Sequence, residues 1–258
     1  MNCALKRGDI LYIKKVKFSN SLGELVFDNH LLYCESIDTT GNSVRFISEQ
    51  LMGTHGNTTL SAWLNAKTVP CVCKFYDRNG NPAFRDYIIQ VLNPLIVGEL
   101  TVHGEYDTYT INCRPSEIPT FTRTDNKLIW AFNVDFIADY PFWRKGVLKN
   151  IPLQSATTVK HISTMPDTPV KIYFPANIGT PPFSINGNGF SFTSSPEVGV
   201  YVDTRNYTVT GTDGKDYGNL IGTDNIGKCV LQNGNNTIFC PTYQGVIVYY
   251  NELSLGVI

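Results

Sequence analysis

The chain has 258 residues, enough for one large or two modest β domains, and an apolar fraction of 42% that can fill a core. Charged residues are only 17% and the net charge is −1, so the basic surplus of a generic electrostatic nucleic-acid binder is missing, which does not exclude close-range contact with DNA in a channel. No stretch approaches the ~18 uninterrupted apolar residues of a membrane span, and the start, MNCALKRGDILYIKKV, has no apolar block with a small-residue cleavage site, so a soluble chain made in the cytosol is expected.

In chain order, Gly8–Phe18 alternates imperfectly as a strand, and SVRFIS, TVPCVCKFY, YDTYTINC and NKLIWAFNVDFIAD follow with strand character. Asn79-Gly80 signals a turn after the Val69–Tyr76 strand. From Pro82 to Leu92 the pattern changes to a helix, with Phe84, Ile88, Val91 and Leu92 at helical spacing. Asn81 suits its cap, Pro82 its first turn, and Pro94 blocks its continuation. This helix must lay its apolar stripe on a sheet or on a neighbouring subunit.

The long aromatic strand then runs into FIADYPFWRK, Phe136 to Lys145. Pro141 cannot donate to a ladder, so the strand should stop before it. Phe142 and Trp143 follow at once, an apolar plug where the chain leaves a sheet. Composition shifts at the same place. Residues 1–145 hold 15 Lys and Arg and 15 Asp and Glu, against 6 and 7 in residues 146–258, and 13 of the 21 glycines lie in the second part. Two domains, 1–145 and 146–258, are expected, with Pro141, Phe142 and Trp143 as anchors of their junction.

The second part reads as all-β: PVKIYFPA, PFSINGNGFSF, GVYVDT, NYTVTG, KCVLQ, NTIFCP and GVIVYYNEL, with turns expected at Asn186-Gly187, Asn188-Gly189, Asp213-Gly214 and Asn233-Gly234. Short strands with frequent turns indicate an antiparallel sandwich or barrel.

Chemistry is sparse. His30, His55, His103 and His161 are scattered, and neither a nucleophile elbow nor a zinc-protease helix motif occurs. NGNGFS lacks the third glycine, lysine and helix of a phosphate loop, and Asp213-Gly214-Lys215-Asp216 lacks the spaced carboxylates of a calcium loop. Both read as turns. Asp135, Asp139 and Asp203 are carboxylates that a glycosidase would need in pairs, and Trp63, Trp130 and Trp143 are candidate sugar platforms; each has a simpler reading as surface charge or core. With seven cysteines at least one thiol is unpaired. Cys71 and Cys73 face one side of a strand, and Cys229 and Cys240 lie on adjacent candidate strands. A metal or redox role is open to them, but no second Cys or His pair stands at matching spacing, and reduced core thiols are the simpler reading.

The order of elements carries more than any motif. TVPCVCKFY, a helix ending at Asn93-Pro94, a strand with Tyr109, Ile111 and Cys113, an aromatic strand, and Ala138-Asp139-Tyr140-Pro141-Phe142-Trp143 follow one another. This order resembles the distal tail protein family of long-tailed bacteriophages, whose commoner closing motif lacks Tyr140 between Asp and Pro. In the second part, Val200-Tyr201-Val202-Asp203-Thr204 before Asp213-Gly214, and Asn233 to Ile238 before Gly245–Tyr250, extend the resemblance over residues 60–258.

The resemblance implies a mainly β fold: an N-terminal split β-barrel with one short helix near 82–92, forming a hexameric ring, and a C-terminal galectin-like antiparallel β-sandwich outside it. It implies a structural hub of the tail tip or baseplate, not an enzyme, with no cofactor, no metal and no membrane insertion. The partners implied are five further copies, the tail tube protein, the tail-tip hub protein and the receptor-binding apparatus, with DNA only in transit. The location implied is the distal end of the virion tail, after synthesis and assembly in the bacterial host cytoplasm. Strand edges such as Gly8–Phe18 would pair with the next subunit, and the near-zero charge suits a channel that does not grip DNA. The alternative function is carbohydrate binding by the second domain to host cell-wall saccharides. Against it, the chain after residue 150 has no Trp, one Arg (Arg205) and one His (His161).

Overall fold

The computed structural model describes residues 13, 15–28, 31–49, 58–77, 82–104, 106–126, 128–154, 156–222 and 226–257. These residues are mainly antiparallel β-structure, with one α-helix among them. The chain forms two compact units: Met1–Lys145 with Leu255–Ile258, and Gly146–Ser254.

In the first unit, strand Lys15–Asn20 lies between Gly23–Phe27 and Gly98–His103. Gly98–His103 pairs with Thr108–Pro115, which meets Ile129–Ala138 through Phe136 and Ile137. Ile129–Ala138 pairs with Lys67–Tyr76 over ten residues, and Lys67–Tyr76 pairs in turn with Leu32–Ile37. The strands at the two ends of this order, Gly23–Phe27 and Leu32–Ile37, are consecutive in the chain, and Asp28 N donates to Leu32 O at 3.1 Å. A separate hairpin joins Val44–Glu49 and Thr58–Leu64. The expected strand from Gly8 lies outside the described residues as far as Tyr12; the described strand starts at Lys15.

Alternation explains the core. On Lys67–Tyr76 the buried residues include Val69, Cys71, Cys73 and Phe75, and on Ile129–Ala138 they are Phe132, Val134, Phe136 and Ala138. Their partner faces supply Val16, Phe18, Leu100, Val102, Tyr109 and Ile111, and the Phe18 and Phe136 rings meet at 4.8 Å. Each Val, Leu, Ile or Phe among them taken fully from water stabilises the fold by about 1.5–3 kcal/mol.

The helix spans Pro82–Val91. Its stripe of Ile88 and Val91, continued by Leu92, is buried in this same core, so it packs within its own chain. Phe84 sets its ring edge against Phe75, and Tyr87 Oη donates to Glu24 O at 3.0 Å. Asn20 Nδ2 donates to Val91 O at 2.7 Å, which satisfies a carbonyl at the helix end. The expected Asn81 cap and Asn79-Gly80 turn lie outside the described residues.

The second unit has two sheets around one core. One carries Thr208–Gly211, Val200–Asp203, Lys171–Phe174 and Ile247–Ser254 in that order, followed by the strand Trp143–Pro152, within which the chain enters the unit after Lys145. The other carries Ala156–His161, Gly234–Phe239, Pro182–Ile185 and Asn188–Ser191, and a small ribbon pairs Asp167–Pro169 with Val230–Gln232. Phe174 from the first sheet meets Phe183 at 5.7 Å, Phe190 at 6.0 Å and Phe192 at 4.9 Å, in edge-to-face contacts that add to area burial.

Asn186 and Gly187 both have positive φ, 52° and 82°, as a two-residue hairpin turn requires. Asn188-Gly189 is not a turn, contrary to expectation: both residues lie in a strand paired with Pro182–Ile185. A Cβ at Gly189 would sit 2.1 Å from the Phe183 carbonyl oxygen, so the glycine serves a close strand approach.

Candidate functional site around Trp143

The expected junction residues occupy one tightly held segment. Ile129–Ala138 ends before Pro141, which is buried. Phe142 is 9% exposed, and its ring meets that of Tyr140 at 4.8 Å, edge to face. Trp143 is fully buried and belongs to the first unit's core, and its Nε1 donates to Thr39 O at 3.3 Å. That donor satisfies the indole N–H, which burial would otherwise penalise.

The residues that follow are stitched to the neighbouring hairpin. Arg144 and Lys145 stand opposite Thr110 and Tyr109. Arg144 Nη2 donates to Glu99 Oε2 at 2.6 Å and to Asn112 Oδ1 at 2.7 Å, and Lys145 Nζ lies 2.9 Å from Asp107 Oδ2.

The acceptor of Trp143, Thr39, belongs to a loop that collects several donors. Asp38 accepts from Thr40 N and Oγ1 at 2.9 and 2.8 Å, which holds its carboxyl below the usual range. Lys67, with 1% of its surface exposed, donates through Nζ to Gly41 O at 3.1 Å and to Leu255 O at 2.9 Å. Asn42 Nδ2 also donates to Leu255 O, at 2.8 Å, and Val257 is buried in the first core. These bonds explain why Leu255–Ile258 lie with the first unit rather than with the residues before them. Burial pushes the Lys67 ammonium down to about 8, against the attraction of Asp38. Nothing in the sequence pointed to this clasp, since a lysine opening a strand reads as a surface charge.

The alternative chemistries find little support. His103 and His161 pair with Thr108 Oγ1 and Thr168 Oγ1 at 3.1 and 2.8 Å, and burial lowers both pKa values; His30 and His55 lie outside the described residues. Asp203 caps its own turn, accepting from Arg205 N and Asn206 N, and Asp139 lies 3.6 Å from Arg114. Asp135 is exposed on its strand. Asp213 accepts from Lys215 N and Tyr217 Oη within its turn, where Gly214 has φ +81°. Trp143 is buried beyond reach of a sugar; Trp130 is half-buried, with the Arg85 and Arg123 guanidinium carbons each 5.0 Å from its ring, and the Trp63 side chain lies outside the described ones. Among the described residues no group of three His, Cys, Asp or Glu is placed to hold a metal ion, and no helix is long and apolar enough to cross a membrane. Cys71, Cys73, Cys229 and Cys240 are buried and free; Cys229 donates to Asn188 O and Cys240 to Thr242 O, and burial pushes both thiols up to about 11.

No family model matches the sequence, and no curated protein matches it. Solved structures do. The Dit protein of phage SPP1, described as a paradigm of the hub adsorption apparatus in phages that infect Gram-positive bacteria, superimposes with a TM-score of 0.70 at 13% identity, covering 92% of this chain and 98% of that one. The phage P2 baseplate in its activated conformation matches with TM-scores of 0.54 with Ca and 0.53 with Sr, at 9% and 10% identity, over 94% of this chain and 99% of the baseplate chain in each case. Over nearly its whole length, therefore, the chain has the mainly β fold of a phage hub protein.

Proposed function

We propose that this chain is a distal tail protein: a structural hub at the tail tip of a long-tailed phage, without catalytic activity. The observation that carries the reading is the end-to-end match to the SPP1 hub protein, in which neither chain has a large part left over. The baseplate chains match over the same extent. The motif order that resembles the distal tail family points the same way independently of the coordinates.

In this reading the first unit is the split barrel that assembles into a hexameric ring around the DNA channel. The second is the galectin-like sandwich on the outside. The ring joins the tail tube to the tail-tip hub protein and the receptor-binding apparatus, and the protein resides at the distal end of the virion tail after assembly in the host cytoplasm. A closed ring uses a heterologous interface repeated by rotation. Exposed apolar side chains of the first unit, among them Leu95 at 90% and Tyr106 at 87%, offer contact for a neighbouring copy. Pro141, Phe142 and Trp143 anchor the point at which the chain leaves the first unit.

Light scattering on the chromatographed protein tests the assembly. The reading expects a species of six times the 28.8 kDa chain mass. A chain that stays monomeric at every concentration and binds cell-wall saccharides would instead favour the carbohydrate-binding alternative.

A further inference from the structure

The first unit holds a thiol group that a hub role leaves unused. Cys34 on Leu32–Ile37 stands directly opposite Cys73 on the antiparallel strand Lys67–Tyr76. Opposed residues share a face, and Cys71 shares it too. Antiparallel partners have Cα atoms about 4.5–5.5 Å apart, inside the range of about 4.4–6.8 Å that a disulfide spans. The register shifts immediately after Cys34, between it and Ser36, and Cys34 Sγ lies 3.2 Å from Ser36 O. Such a bulge re-aims the side chain next to it. Cys34 is half-buried, whereas Cys71 and Cys73 are 2% and 0% exposed. Cys34, packed at the edge of the first core, is thus the most exposed of the three, with two more thiols behind it, and all three are free.

We propose that Cys34 is a thiol-exchange site for small disulfides, with Cys73 as its resolving partner. The co-reactant is a low-molecular-weight disulfide such as oxidised glutathione. The Cys34 thiolate attacks one sulfur, the reagent's S–S bond breaks, and one glutathione thiolate leaves with the electron pair and takes a proton from solvent. The Cys73 thiol then attacks Cys34 Sγ and gives up its proton, the Cys34–glutathione S–S bond breaks, and the second glutathione leaves as a thiol carrying that proton. Two protein thiols are oxidised to one cross-strand disulfide, and one reagent disulfide is reduced to two thiols. Hydrogen bonding with the Cys71 and Cys73 thiols lowers the Cys34 thiol, whereas burial raises the other two, so the most exposed of the three is the one that attacks first. The product staples the Leu32–Ile37 strand to its neighbour.

The test uses the full reduced chain with Cys3→Ser, so that the thiol near the chain start does not contribute. Intact mass is followed during incubation with oxidised glutathione, and the products are mapped as peptides. The expected sequence is a transient single adduct on Cys34, then its loss with a Cys34–Cys73 cross-linked peptide. Cys73→Ser should hold the adduct, and Cys34→Ser should slow the first step at least about tenfold. A stable adduct in the chain that retains Cys73, a different pair of cross-linked cysteines, or an unchanged rate in Cys34→Ser would overturn the assignment. Should Cys73→Ser fail to fold, the peptide map of the Cys3→Ser chain decides alone.

Discussion

Trp143 and Lys67 each make a bond to the Asp38–Asn42 loop, and they fail differently when changed. Trp143→Ala removes a fully buried indole and should cost roughly 3–5 kcal/mol in urea unfolding. Trp143→Phe keeps most of the packing but leaves Thr39 O without its donor, so a smaller loss of about 1–2 kcal/mol is expected. Lys67 makes stability depend on pH. Its folded value of about 8 is below its ordinary 10.5, so between these values the unfolded chain holds a proton that the folded chain has released. Stability should therefore rise as pH increases through that window. In Lys67→Met the rise should flatten, and denaturant midpoints measured from pH 7.5 to 10.5 check this.

At the level of elements, the strands legible in the sequence are those with one buried and one wet face. Lys67–Tyr76 and Ile129–Ala138 alternate cleanly, and the helix over Pro82–Val91 is bounded by two prolines, Pro82 and Pro94. Gly23–Phe27, Leu32–Ile37 and Gly98–His103 escaped notice. All three are short; Gly98–His103 and Leu32–Ile37 pair with strands roughly eighty to ninety and forty residues away, so for these two the ladder rather than local preference makes the strand. Trp143–Pro152 escaped for another reason: after Trp143 its residues are half-buried or exposed, so no period marks them. Of the candidate site, the segment was visible through Pro141, Phe142 and Trp143. Its acceptor in the Thr39 loop and the return of Leu255 were not, because both are contacts between distant parts of the chain. The glycine-rich hairpin carries its own test. Gly187 has φ +82° with open space, so Gly187→Ala should cost about 1 kcal/mol through backbone conformation. Gly189→Ala meets the Phe183 carbonyl and should lower the thermal midpoint further.

For the whole molecule, the resemblance read from motif order and the likeness in fold come from different information: one uses residue identities, the other backbone geometry at 13% identity. Their agreement makes the hub reading stronger than either alone, because fold by itself does not carry function. If the ring uses the exposed apolar side chains of the first unit, Leu95→Asp with Tyr106→Asp should shift the protein toward monomers while leaving its unfolding midpoint within about 0.5 kcal/mol, since both residues are solvated in the single chain. Electron microscopy of the purified protein tests the central claim most directly. The account predicts six-fold rings with a central opening wide enough for duplex DNA. Particles without rotational symmetry, at concentrations where the protein is fully folded, would contradict it.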